Sequence, residues 1–406
     1  MRYASDMTGR YSPLYFLASL GAGGLAVSFF MYLMWLTPHP GSPIPTFATL
    51  TAAWADGDLL TRSIIAVGVA GVAAFALLHF RLLVWNFAQR SRWMKTTAYQ
   101  ALKSSNAETQ LLAAPLATAM SVNVGFIVGA VFVPGLWEMR EFLFPFALLA
   151  FSAIGVWALR LLLDFFGRVL AKGGFDCAKN NSLGQLLGVF ALSMVGVGFS
   201  ASAAMSHVPA VSAIAYMGAM FFTAGSIVLG LIMLVLGFRA MMEHAAAEET
   251  TPTLWITIPI LTVVGIALYR LKMALAHNFD TPVTSGEVFA FFTTIVAIQA
   301  LFALLGWAVM SRVGYFKRWV SGPDRSPGSY ALICPGVALV VSLSFLINVG
   351  IVNLGLVEPM SAAHLALHLP ITALQLVTLK VFFDLNRKLL AELPAPKAAE
   401  TRAKAA

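Results

Sequence analysis

The run LGQLLGVFALSMVGVGFSASAAMS, Leu183 to Ser206, has no charged side chain, and after His207 and Val208 a second charge-free run extends from Pro209 to Phe238. A helix needs about 20 mostly apolar residues to cross the hydrocarbon of a bilayer. Within lipid only helices or closed barrels pair every backbone N–H and C=O. The two runs therefore read as successive membrane-spanning helices. Eight more runs of this kind surround them: Pro13 to Leu36, Ser63 to Asn86, Leu111 to Pro134, Phe142 to Phe166, Leu254 to Ala276, Gly286 to Met310, Pro327 to Asn353, and Ser361 to Leu385. The chain is thus expected to be an all-α polytopic membrane protein with ten transmembrane helices.

Composition agrees. Of the 406 residues, 59% are apolar and only 11% charged, against about 25% charged in soluble domains, and the mean hydropathy is +0.82. A soluble enzyme, a disordered chain and a collagen-like chain are excluded. The connections are too short to insert a soluble domain, so residues 1–390 form one membrane transport domain and 391–406 a disordered cytoplasmic tail. The longest connections are the Pro-rich Thr37 to Arg62, the segment Phe87 to Gln110, which reads as an interfacial helix with Arg90, Arg92, Lys95 and Lys103 among apolar residues, and Ser311 to Ser326. The first apolar run lacks a small-residue cleavage pattern and reads as a retained helix.

Lys and Arg gather on the cytoplasmic side of short loops. Most of the 26 basic residues, including Arg168, Lys172, Lys179, Arg239, Arg312, Lys317, Arg318, Arg387 and Lys388, fall on the side of the N-terminus. Both termini are therefore expected in the cytoplasm and the chain in the cell's inner (plasma) membrane. The net charge of +8 is mainly this topology signal. No phosphate loop, zinc spacing, nucleophile elbow or nucleic-acid arm is present, so no catalytic residue, metal, cofactor or nucleic-acid partner is expected.

Ionisable residues inside spans are the first functional candidates, because charge in hydrocarbon is costly. Arg160 with Asp164, and Lys380 with Asp384, are four apart and read as ion pairs at helix ends. Arg270 and Lys272, near the outer end of the seventh span, read either as an anion vestibule or as partners of Asp280 and Glu287. His364 and His368 are also four apart, a spacing that permits metal or haem ligation or a proton relay. The remaining polar candidates are uncharged and sit on odd-numbered spans: Asn123, Ser193, Thr257, Thr262, Ser342, Ser344 and Asn348. Interior prolines Pro115, Pro259 and Pro335 share those spans, and no even span has an interior Asn. Hydroxyl and amide donors, kinked backbone and no acid make a lining for an anion path, although Gly and Pro also serve close packing.

Ten spans, Thr253-Leu-Trp-Ile-Thr-Ile-Pro259 opening the seventh and Tyr330-Ala-Leu-Ile-Cys-Pro335 opening the ninth resemble the tellurite-resistance and dicarboxylate transporter (TehA) family, which includes plant slow anion channels and fungal sulfite pumps. The ninth-span segment with Gly336-Val-Ala-Leu is most similar to its TsoY branch, some members of which are selenoproteins. The resemblance implies five helical hairpins around a central pore, odd helices inside, usually as a homotrimer, moving a small anion such as sulfite, selenite, tellurite, a halide or a dicarboxylate. Taken with the polar and basic residues above, the candidate pore and gate are Cys334, Pro335, Asn123, Gly125, Ser193, Thr257, Pro259, Thr262 and Asn348, with Arg270 and Lys272 at the vestibule. In the anion channels a Phe before the ninth-span Pro plugs the pore; here that position is Cys334, read either as a small buried hydrophobe or as a pore thiol. Cys177 reads as a surface thiol. A membrane-embedded redox subunit using His364, His368 or Cys334 is the alternative, and a scaffold docking partners on its basic loops a third.

Overall fold

The computed structural model describes residues 3–391 of the chain. The expected tail, 391–406, lies outside the described residues except for its first. Among the described residues are ten helices long and apolar enough to cross a membrane: α1 Pro13–Leu36, α2 Leu59–Trp93, α3 Asn106–Phe132, α4 Leu136–Lys172, α5 Leu186–Met205, α6 Pro209–His244, α7 Glu248–Asn278, α8 Ser285–Arg312, α9 Pro327–Val352 and α10 Ala362–Leu389. They make a multi-pass membrane protein.

The helices α2, α4 and α6 outrun the spans read from hydropathy. In α2 the cause is visible: Asn86, Gln89 and Trp93 keep one face buried. Gln89 accepts the Met7 N–H (3.0 Å) and donates to the Ser5 carbonyl (3.1 Å), holding the N-terminal segment. Apolarity ends at the headgroups while helical hydrogen bonding continues. Two sequence expectations are corrected as a result. The even helices α2 and α10 do carry interior Asn residues, Asn86 and Asn386, both buried. The expected interfacial helix over 87–110 divides among the end of α2, a short helix Thr97–Lys103 and the start of α3. A further short helix, Phe47–Asp56, occupies the Pro-rich loop; a Thr46/Thr49 capping box starts it, and Arg62 donates to the carbonyls of Trp54 and Ala55 at its end. Asp58 caps α2 by accepting the Thr61 N–H at 2.8 Å, which holds its carboxyl below the usual range.

Burial separates the helices by parity. The most apolar windows of α1, α3, α5, α7 and α9 are 83, 61, 94, 56 and 78% buried, whereas those of α2, α4, α6, α8 and α10 are 33, 33, 22, 17 and 28% buried. Helix α1 packs on α3, α3 on α5, α5 on α7, α7 on α9, and α9 on α1. Each even helix packs on the odd helix before it in the chain. Close approach needs small residues at the crossings: a Cβ on Gly23 of α1 would lie 2.6 Å from Met120 Cγ and 2.8 Å from His79 Nδ1.

The odd-helix prolines do not kink mid-span, as the sequence suggested. Helices α3, α7 and α9 each begin as a 3-10 turn, and Pro115, Pro259 and Pro335 are each the third residue of the α-helical part that follows. A first-turn proline fits because its missing N–H would have little to bond there and its φ is already helical.

Candidate functional site: a cavity between the odd helices

A cavity of about 180 Å³ lies between α1, α3, α5, α7 and α9, with Ile44 and the α4 residues Ala147 and Phe151 completing its wall. Its lining runs from Cys334 and Pro259, near the starts of α9 and α7, to Met205 and Arg270, toward the far ends of α5 and α7. On α7 the eleven residues from Pro259 to Arg270 correspond to about 16 Å of rise. The wall is mostly hydrocarbon and contains no acidic side chain; its polar side chains are Asn123, Ser202, Thr262, Arg270 and the Cys334 thiol.

Arg270 stands out. One guanidinium nitrogen, Nη1, donates to the Val197 carbonyl at 3.4 Å, a long bond for a group with five N–H donors. Among the described residues the ion pairs do not include Arg270, so the pairing with Asp280 or Glu287 is not formed; both acids are exposed. Arg160 and Asp164 likewise form no pair, whereas Lys380 and Asp384 do, at 2.7 Å.

Of the eleven residues named for the pore, gate and vestibule, the structure brings Cys334, Asn123, Pro259, Thr262 and Arg270 to this cavity and leaves six off it. Lys272 and Gly125 are exposed away from it, and Pro335 is buried beside it. Ser193 is fully buried and donates to the Phe190 carbonyl of its own helix (2.9 Å). Thr257 has its hydroxyl buried without a partner. Of the three hydroxyls and amides that reach the cavity, Asn123, Ser202 and Thr262, Thr262 is committed to protein: Gln299 of α8 donates to its Oγ1 at 2.7 Å, and Ser342 lies 2.8 Å away. Asn123 donates only a long contact to Met194 Sδ, 3.6 Å.

Asn348 joins a different cluster, where the last turns of α9 widen into a π-helix over Leu346–Val352. His364 Nδ1 accepts the Met360 N–H (3.1 Å), so its proton is on Nε2 and is donated to Asn348 Oδ1 (2.8 Å). His368 donates from Nδ1 to the His364 carbonyl (2.9 Å), leaving Nε2 to face the Asn348 amide at 3.4 Å. All four ring nitrogens are thereby engaged within the protein. Among the described residues, no three His, Cys, Asp or Glu side chains gather in a metal-binding group.

Reading the sequence missed His79 of α2, which is fully buried. Its Nδ1 donates to the Ser19 carbonyl of α1 (2.8 Å), and its Nε2 then accepts from the Ser121 hydroxyl of α3 (2.8 Å). A histidine standing alone in Leu77-Leu-His-Phe80 was the available signal. The apolar wall residues Met120, Phe126, Phe151 and Met194 were also unforeseen, since nothing distinguishes them from lipid-facing neighbours in the sequence.

Where the odd helices begin, each contributes a buried side chain. Tyr15, Leu112, Leu187, Leu254 and Tyr330, one from each odd helix, are 5, 0, 3, 2 and 0% exposed. The Tyr15 and Tyr330 rings meet edge-on with centroids 6.3 Å apart, and the Tyr330 hydroxyl donates to Asn386 Oδ1 at 2.9 Å. Cys334, one turn farther along α9, is partly exposed at the cavity. Compared with protein-family models and with curated proteins, the chain matches none.

Proposed function

We propose that the chain is a membrane conduit for anions, in which the five odd helices form an inner ring around a pore, the even helices face lipid, and both termini lie in the cytoplasm. The observation that carries this reading is Arg270, a cation without a carboxylate partner in a cavity that all five odd helices line and no acid enters. A fixed positive charge between low-dielectric walls attracts anions and repels cations. The circuit of contacts among the odd helices and their higher burial support the inner ring. The resemblance to the tellurite-resistance and slow anion channel family points the same way. Of the groups the redox reading could use, His364 and His368 have their ring nitrogens already bonded, which leaves it Cys334 alone.

The test is flux from liposomes reconstituted with the purified protein, voltage-clamped with valinomycin and potassium. Chloride, nitrate and sulfite efflux should rise with protein content, while sodium efflux stays at the level of protein-free liposomes. Sodium efflux equal to that of the anions, or no efflux of any anion, would overturn the reading.

A further inference from the structure

We propose that the ligand of this cavity is an amphipathic organic monoanion: one carboxylate or sulfonate head held at Arg270, with a short unbranched hydrocarbon tail lying toward Pro259 and Cys334. The inference rests on the anion reading above and narrows it to a substrate class. A small hydrated oxyanion is held tightly only where several donors replace its water, so one that passes through need not be the ligand the cavity fits best. Here the donors are few. The Arg270 fork is mostly uncommitted, Asn123 has only its contact to Met194, and the Thr262 hydroxyl is taken by Gln299 and Ser342. Apart from the Ser202 hydroxyl, the rest of the wall, including Phe126, Met194, Val263 and Val341, presents carbon and sulfur.

A dicarboxylate fits no better, because its second charge would lie among those side chains with no second cation in the wall. Hydrocarbon does fit. An apolar cavity of about 150 Å³ is known to stay dry and to take a ring of six carbons, and the space here is about 180 Å³. The 16 Å of α7 between Arg270 and Pro259 sets the direction in which such a tail runs.

The probe is the series of straight-chain alkanesulfonates from methane- to octanesulfonate, measured as competitors of chloride flux and as direct ligands of the detergent-purified protein. Each added methylene should tighten binding about fourfold, the factor for about 0.8 kcal/mol, until the tail outgrows the cavity. Arg270→Gln should weaken the whole series at least tenfold and leave the increment per methylene unchanged. Arg270→Lys should recover part of the loss, and the near-isosteric Val341→Thr should lower the increment while keeping dependence on the head. If binding is flat with chain length, or if a folded Arg270→Gln protein binds the series as the parent does, while chloride still flows, the amphipathic ligand is refuted and the anion conduit stands. If neither chloride nor any sulfonate moves or binds, the functional reading itself falls with it.

Discussion

Replacing Tyr330 by alanine is expected to raise anion flux per folded molecule at least about tenfold, the factor given by about 1.4 kcal/mol off a barrier. Tyr330 is fully buried among the side chains at the starts of the odd helices, set edge-on to Tyr15 and one turn before Cys334 on the cavity. The proposed path is expected to be blocked in this layer, so that removing the ring, one turn from the cavity-lining Cys334, should open it. The same truncation costs stability, on the order of 3–5 kcal/mol in soluble cores, so flux must be normalised to monodisperse protein. Tyr330→Phe separates the two effects. It keeps the ring and gives up only the hydrogen bond to Asn386, a loss of about 1 kcal/mol, and its flux should match the parent. Equal flux from the alanine and parent proteins would mean that closure lies in another layer.

A second large effect on folding is expected at Gly336, the residue after Pro335. A Cβ there would stand 2.1 Å from Thr378 Oγ1 and 3.1 Å from Thr378 Cβ and Cγ2. Thr378 is short and branched, and its hydroxyl already donates to the Leu374 carbonyl (2.8 Å), so it cannot swing aside as a long side chain would. Gly336→Ala should cost about 1–3 kcal/mol, the range for overpacked cores, and Gly336→Val more. Thr378→Ala removes two of the three clashing atoms and should restore part of the loss, giving a coupling of the opposite sign in a double-mutant cycle. Unfolding in graded denaturing detergent measures it. Additive losses would show that α9 and α10 do not meet at this pair.

Membrane character was legible in the apolar runs because lipid demands length and apolarity, and all ten runs are helices. The difference in burial was not legible in hydropathy. The apolar windows of α6 and α8 score 2.4 and 2.3, yet are 22 and 17% buried; α1 scores 1.7 and is 83% buried. When the solvent is itself hydrocarbon, an apolar side chain gains little by turning inward, and only contacts decide which helix lies inside. Polar side chains misled for a related reason. A hydroxyl or amide buried away from water must find a partner, and Ser193 finds its own backbone while Asn348 finds two histidines. Their presence on odd helices therefore reported packing as much as a path. Arg270 was legible as an exception to the charge rule, but the missing partner that makes it informative appears only once the helices are assembled.

The central claim, that anions pass through the cavity between the odd helices, is tested most directly at Cys334. Cys177 is exposed, and Cys177→Ser leaves Cys334 as the chain's one thiol. An anionic methanethiosulfonate applied to this variant in liposomes should form a mixed disulfide with Cys334, adding charge and bulk to the cavity wall. Complete modification, checked by the mass of the intact protein, should abolish anion flux, and a transported anion present in excess should slow the reaction. Flux unchanged after complete modification, or a thiol that stays unmodified in protein that is conducting anions, would contradict the account.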